Sequence, residues 1–359
     1  MMEEKHDYQR PPVRVALIGL GRAMFEDHYS VFKAHPAMFQ VVAACDLIKE
    51  RRDMIAKDFP SCKMFRRYSD LLDERDIDLV DIATGTSLHQ KHALDSLAKG
   101  FWTLLESPMT LTYEDALVLR GAAVKAKNRL LVMNRRMFDS DYLLAKQTMT
   151  DLRLGEIYQI SINNEDFVRR DDWQAIKRLG GGAAYYAMPD MMLQALKLLP
   201  MQPIQMWSDL KRVASLGDAE DYVHVSLKTR GTVSADIEFN GGVLAPLRRP
   251  SFEIRGTRGV FSVMPGQSTG KMTVIDPAFE FPRRRSSVRT PPLGDLHEEF
   301  PVVEIPVSLN KGTLHGISAF WKSVYDTVRT AAPFPMPLED AIEAVKFSHL
   351  MKKTSPFGK

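Results

Sequence analysis

Apolar and polar positions follow two regimes that change at about Asn134. Before it, short and nearly unbroken apolar runs recur at Val13 to Ile18, Phe39 to Ala44, Leu79 to Ala83, Trp102 to Leu105 and Leu130 to Met133, with helical segments between them. A run that is apolar on both faces is the pattern of a parallel strand buried beneath helices. Its alternation with helices predicts a parallel sheet covered on both sides. The helix ends carry their own signals. Ser87 is placed to cap a helix that runs to Lys99, with Gly100 at its C′ position, and Thr112 with Asp115 forms a capping box for a helix ending near Lys127.

Beyond Asn134 the pattern predicts one helix at about Asp141 to Thr150 and then strands at hairpin-like spacing. These are Glu156 to Asn163, Gln205 to Val213, Tyr222 to Thr229, Val233 to Phe239, Phe252 to Arg255, Val260 to Val263 and Met272 to Ile275. Tyr222, His224, Ser226 and Lys228 alternate with Val223, Val225 and Leu227, so one face meets a core and the other a polar surrounding. His224 is accordingly expected on the polar face of a sheet. Pro282 to Glu299 reads as a long loop followed by two terminal helices. Pro337 opens the last helix, in which Ile342, Val345 and His349 share a stripe assigned to core packing.

The first strand runs directly into Gly19-Leu20-Gly21-Arg22, a G-x-G turn ahead of a helix. The first glycine permits the sharp turn, and the second lets a pyrophosphate approach the backbone amides at the helix N-terminus. Met24 stands where a third glycine or alanine completes the fingerprint, so a tight strand-to-helix turn without a ligand is the alternative. Asp46 favours the ligand. It follows the second strand, 25 residues after Gly21, near the offset at which an acidic residue accepts ribose hydroxyls. A carboxylate there predicts NAD rather than NADP, because it repels a 2′-phosphate unless a cation such as Arg51 compensates. The predicted fold is α/β, with a Rossmann dinucleotide-binding domain over residues 1–135. A C-terminal α+β domain with a large, mostly antiparallel sheet is predicted over residues 136–359.

Composition narrows the partners. A chain of 359 residues exceeds one ordinary core, and 45% apolar with 26% charged residues is a globular balance. A net charge of +3 implies neither nucleic acid nor membrane as partner, and Arg283, Arg284 and Arg285 read as a solvated loop. Cys45 and Cys62 offer no disulfide framework or zinc pattern. No run approaches the roughly 18 apolar residues of a membrane span, and the start MMEEKHDYQRPP lacks an apolar signal region, so a cytoplasmic protein is expected. His89 and His92 have no further ligands at metal spacing, and no metal is assigned.

Four stretches together resemble the Gfo/Idh/MocA oxidoreductase family. DLVDIATGTSLHQKHALDSLAKGFWTLLESPMTLTYEDA from Asp78 is similar to the segment that ends in the family's Glu-Lys-Pro signature. LGEIYQI from Leu154 resembles the opening of its second domain, GGGAAYY from Gly180 the glycine-rich approach to its catalytic helix, and FPMPLEDAIEAVKFSHLMKKTS from Phe334 its C-terminal segment. The resemblance departs where the family's chemistry lies. Glu106-Ser107-Pro108 replaces Glu-Lys-Pro, which removes the lysine that polarises the reacting hydroxyl. Against Asp-x-Gly-x-His-x-x-Asp the chain places Tyr186, Met188, Asp190 and Leu193, and Thr84-Gly85-Thr86 stands where Thr-Pro-Asn is common. Arg135 and Arg136 resemble an Arg-aromatic pair near the nicotinamide, with Met137 ahead of Phe138.

The resemblance implies a nicotinamide-dependent oxidoreductase acting on a sugar, polyol or sugar derivative. Hydride transfer requires a group that exchanges the hydroxyl proton. Tyr186 and Asp190 are the ionisable groups left in the aligned motif, four residues apart and able to share a helical face, and they are the expected catalytic pair. Pro189 alternatively makes Asp190 a helix-start residue. Tyr185, Lys177 and Arg178 are near in sequence. Glu106 and Pro108 fall at a strand's C-terminal end, the ligand edge of open α/β sheets. With Gly19, Gly21, Arg22, Asp46, Thr84, Thr86, His89 and Arg136 they form the expected cofactor site. A second class remains open, a sensor or regulatory protein that binds a dinucleotide or a sugar without catalysis. The family likeness also implies a homodimer or homotetramer joined through the second domain.

Overall fold

The computed structural model describes residues 10–281 and 299–358. Six parallel strands form the first sheet: β1 (Val13–Ile18), β2 (Phe39–Cys45), β3 (Lys63–Phe65), β4 (Leu79–Ile82), β5 (Trp102–Glu106) and β6 (Leu130–Met133). Their order is β3-β2-β1-β4-β5-β6. The order reverses between β1 and β4, which opens a crevice above the strands' C-terminal ends. The interior strands are buried on both faces, as their unbroken apolar runs require. β3 was not anticipated. It is a three-residue edge strand whose Lys63 is exposed, too short and too polar to register as a buried run.

The predicted capping box is present. Thr112 Oγ1 accepts from the amide of Asp115 at 3.1 Å and donates to its carboxylate at 2.7 Å. Ser87 caps nothing. It lies in a short 3₁₀ turn, Thr86–Leu88, ahead of the helix His89–Ala98, whose N-cap makes no side-chain bond. Gly100 follows that helix with φ +86°, as predicted.

The second sheet has eight strands: β7 (Ile157–Glu165), β8 (Pro203–Lys211), β9 (Tyr222–Thr229), β10 (Ser234–Asn240), β11 (Phe252–Gly256), β12 (Gly259–Val263), β13 (Thr269–Ile275) and β14 (Val302–Ser308). Their order is β14-β13-β12-β11-β7-β10-β9-β8, antiparallel throughout except for the pair β7 and β10. Val223, Val225 and Leu227 point into the core, while Tyr222, His224 and Ser226 are partly exposed, as the alternation predicted. The core face packs on the helix Met188–Leu198, whose Met188, Met191, Met192 and Ala195 join Ile160, Ile162 and Ile237. β14 replaces part of the expected direct passage from loop to helices. The stretch Pro282 to Glu299, expected as a loop with Arg283, Arg284 and Arg285, lies outside the described residues except for Glu299.

Two helices near the C-terminus, Gly316–Thr330 and Leu338–Thr354, return to the first sheet. Phe320, Trp321, Val324 and Tyr325 complete the core beneath β1 and β2, where Trp321 sets its ring edgewise against Phe32 and Phe39 at 4.7 and 5.4 Å. Ile342 and Val345 are buried as expected, but His349 points outward, 4.0 Å from Glu114. Among the described residues no helix is long and apolar enough to cross a membrane.

Candidate active site

The crevice begins at the glycine turn. Gly19 has φ +90°, and a Cβ there would lie 2.8 Å from the Ala83 carbonyl oxygen, so the end of β1 packs against the end of β4 only because the side chain is missing. A Cβ on Gly21 would meet nothing within 4 Å, so its backbone borders open space. Asp46 braces the turn. Its Oδ2 accepts from the Leu20 amide and its Oδ1 from the Ile48 amide, both at 2.8 Å, and Arg51 Nη1 lies 3.5 Å from Oδ2. Arg22 is exposed at the crevice mouth, 3.4 Å from Glu26 and 3.4 Å from the amide oxygen of Gln174 in the second domain. A left-handed turn, an open glycine backbone and an acid at the end of β2 fit a dinucleotide.

The facing wall is built by the loops after β4 and β5. Glu106 ends β5, with its side chain 16% exposed, and its Oε2 accepts from the Ser107 amide at 3.0 Å. His89 is 1% exposed, with Nε2 2.9 Å from the Thr84 carbonyl and Nδ1 3.0 Å from the Pro108 carbonyl. It ties the two loops together from inside the wall, and burial lowers its pKa. Thr86 and Pro108 are buried with it, whereas Thr84 is partly exposed, with its hydroxyl 3.3 Å from His92 Nδ1. Of the expected cofactor residues, His89, Thr86 and Pro108 therefore shape the crevice from behind its surface.

Asp190 projects from the second domain toward the end of β6. Its Oδ1 accepts from Asn134 Nδ2 at 2.7 Å. Burial raises its pKa, opposed by that hydrogen bond and by the nearby charges of Arg136 and Arg135. Tyr186 does not share a continuous helical face with it. The short helix Ala183–Tyr186 ends at Ala187, with φ −123° and ψ −47°, and Asp190 lies in the first turn of the next helix, where Pro189 occupies the opening turn. The Tyr186 ring packs against Phe239 and beneath the Arg170 guanidinium, 4.8 Å from the ring centroid, and burial pushes its phenol up. Arg136 is partly buried beside them. The Asn164 amide accepts from its Nη1 and Nη2 at 3.3 and 3.0 Å, and Gln194 donates to its carbonyl at 2.7 Å. Of the sequence neighbours, Lys177 turns away to the Phe357 carbonyl at 2.7 Å.

Sequence reasoning passed over His28 and its partner Asp81. His28 belongs to the helical residues 22–34, which open as a π-helix over Met24–Tyr29, a form that recurs at functional sites. It is fully buried, with Nδ1 2.7 Å from Asp81 Oδ2 and Nε2 2.7 Å from Glu106 Oε1. The available signal was Asp81, a carboxylate inside the apolar run of β4, which a buried strand tolerates only with a partner.

Comparison with known proteins fits this geometry. A family model described as an oxidoreductase family with an NAD-binding Rossmann fold matches residues 13–134, and one described as the GFO/IDH/MocA C-terminal domain matches residues 142–262. An uncharacterized oxidoreductase of Schizosaccharomyces pombe is 29% identical over 70% of this chain and 70% of its own. The scyllo-inositol 2-dehydrogenase (NADP(+)) IolW of Bacillus subtilis is 25% identical over 69% of this chain and 68% of its own. An NAD-binding protein from Listeria innocua has the same fold, with a TM-score of 0.79 at 19% identity over 96% of this chain and 98% of its own.

Proposed function

The chain belongs to the Gfo/Idh/MocA oxidoreductase family, and from that premise we propose that it transfers a hydride between NAD and a carbinol carbon of a sugar, polyol or sugar derivative. The observation that carries the reading is Asp190, a carboxylate held by Asn134 at the seam between the first sheet and the second domain. A nicotinamide bound in the crevice supplies the hydride acceptor. The chain's own residues supply the proton exchange and the positioning. Asp190 takes the hydroxyl proton, and its raised pKa brings it closer to neutral pH, where a general base works best. Tyr186, packed against Phe239 and the Arg170 guanidinium on a separate helix, keeps its proton and is assigned no proton step. Ser107 leaves the site without the family's lysine, so the proton step rests on Asp190.

NAD is the proposed cofactor because Asp46 sets a carboxylate beside the glycine turn that opposes a 2′-phosphate, although Arg51, 3.5 Å from it, offsets part of that charge. The NADP dependence of the Bacillus relative makes the choice testable. Calorimetric titration is expected to give tighter binding for NAD than for NADP, and comparable affinities would contradict the cofactor proposal. Incubation with NAD and a panel of sugars and polyols, inositols included, is expected to raise the absorbance of reduced cofactor. A panel without turnover, despite tight NAD binding, would favour a sensor.

A further inference from the structure

One buried charge cluster has no part in the proton step above. His28 lies between Asp81 and Glu106 with both ring nitrogens 2.7 Å from carboxylate oxygens, so it donates on both sides and is an imidazolium. Trp321 closes a further side of the ring, edge to face at 5.3 Å. Burial alone would push the imidazole's pKa down, but Asp81 and Glu106 hold it up at about 10. One cation between two carboxylates leaves the cluster with one negative charge. Asp81 and His28 are sealed in, so Glu106 alone carries that charge to the crevice surface. Its Oε1 is fixed by His28 and its Oε2 by the Ser107 amide.

We infer that His28 is a positioning residue that holds the Glu106 carboxylate aimed at the crevice, so that the site favours a dinucleotide with an oxidised, positively charged ring over the reduced, neutral form. The inference rests on the dinucleotide reading above. The other charges around the cluster largely cancel. Asp27 pairs with Arg135 at 3.0 Å, Asp190 lies within the field of Arg136 and Arg135, and burial lowers the pKa of His89, whose ring nitrogens meet the Thr84 and Pro108 carbonyls. Ser107 brings no ammonium to neutralise Glu106. Without the imidazolium, Glu106 Oε1 loses the donor that fixes it, and the carboxylate is released to turn from the crevice. The preference for the oxidised form would fall with that alignment.

Calorimetric titration of NAD+ and NADH into the full chain, between about pH 6 and about pH 8, tests this without any substrate. The wild type is expected to keep a constant ratio of the two affinities over that range. His28→Asn is expected to lower the preference for NAD+ by roughly tenfold, the scale of one partly screened charge a few ångströms away. Glu106→Gln keeps an acceptor for His28 but removes the charge, and is expected to lower the ratio by a similar factor at every pH. That variant carries the test alone if His28→Asn does not fold. A folded His28→Asn with the wild-type ratio throughout overturns the inference, as does an unchanged ratio in Glu106→Gln. Wild-type protein that binds neither form overturns the dinucleotide reading together with the inference.

Discussion

Asp190 accepts a hydrogen bond from Asn134, and this contact opposes the rise that burial imposes on the proposed base. Replacing Asp190 by Asn keeps the shape and removes the base, with an expected loss of about 100-fold to 10,000-fold in turnover and little change in NAD affinity. A wild-type rate would exclude Asp190. Burial raises this carboxyl and the Asn134 amide opposes the rise, so the acid limb of the pH–rate profile falls as pH drops through the raised value. Asn134→Ala removes the opposing bond and is expected to move that limb to higher pH, and an unmoved limb would separate the limb from Asp190. At this scale the sequence was only partly readable. Asp46, Glu106 and Asp190 announced themselves by position in a motif. His28 and Asp81 did not, because they are 53 residues apart and meet only after β4 has entered the sheet beside β1.

At the scale of elements, the two glycines of the turn separate folding from binding. An alanine at residue 19 would face a φ of +90° and a carbonyl oxygen 2.8 Å away, so Gly19→Ala is expected to cost at least ~1–2 kcal/mol and to lower the melting temperature. Gly21→Ala meets open space and is expected to melt like the wild type while binding NAD more weakly. Equal melting of the two variants, or undiminished binding by Gly21→Ala, would contradict this division. The interior strands were legible because burial on both faces writes an unbroken apolar run. β14 was not, since its side chains alternate between partial and full exposure, and Pro306 within it is tolerated because the strand lies at the sheet's edge. Ser87 failed as a cap because the chain enters that helix through a 3₁₀ turn.

For the whole molecule, the second sheet has one face on its core, and the other presents residues such as His224, Asp236, Glu238 and Trp207. Trp207 is 56% exposed, with its ring 5.4 Å from that of His224. We propose that this face joins a second copy of the chain. Sedimentation at micromolar concentration is expected to show a dimer or tetramer, and Trp207→Glu to shift it toward monomer. A wild type that sediments only as monomer would end the proposal. The change from a parallel to a mostly antiparallel sheet was legible as a change of pattern at Asn134. The return of the last helices to the first sheet was not, because an amphipathic stripe shows that a helix is packed but not on what.

That return bears on how the protein is made. A ribosome releases the chain from its beginning, and a first domain ordinarily settles before the next emerges. Here the space under β1 and β2 is filled by Phe320, Trp321 and Val324, which are synthesised after the whole second sheet. Until they arrive, Phe32 and Phe39 lack their aromatic neighbour, and His28 lacks both the ring beside it and the Trp321 indole that donates to the Asp27 carbonyl at 2.9 Å. The apolar groove under β1 and β2 is therefore covered only once the helix Gly316–Thr330 has been made, and His28 gains its aromatic neighbour with it.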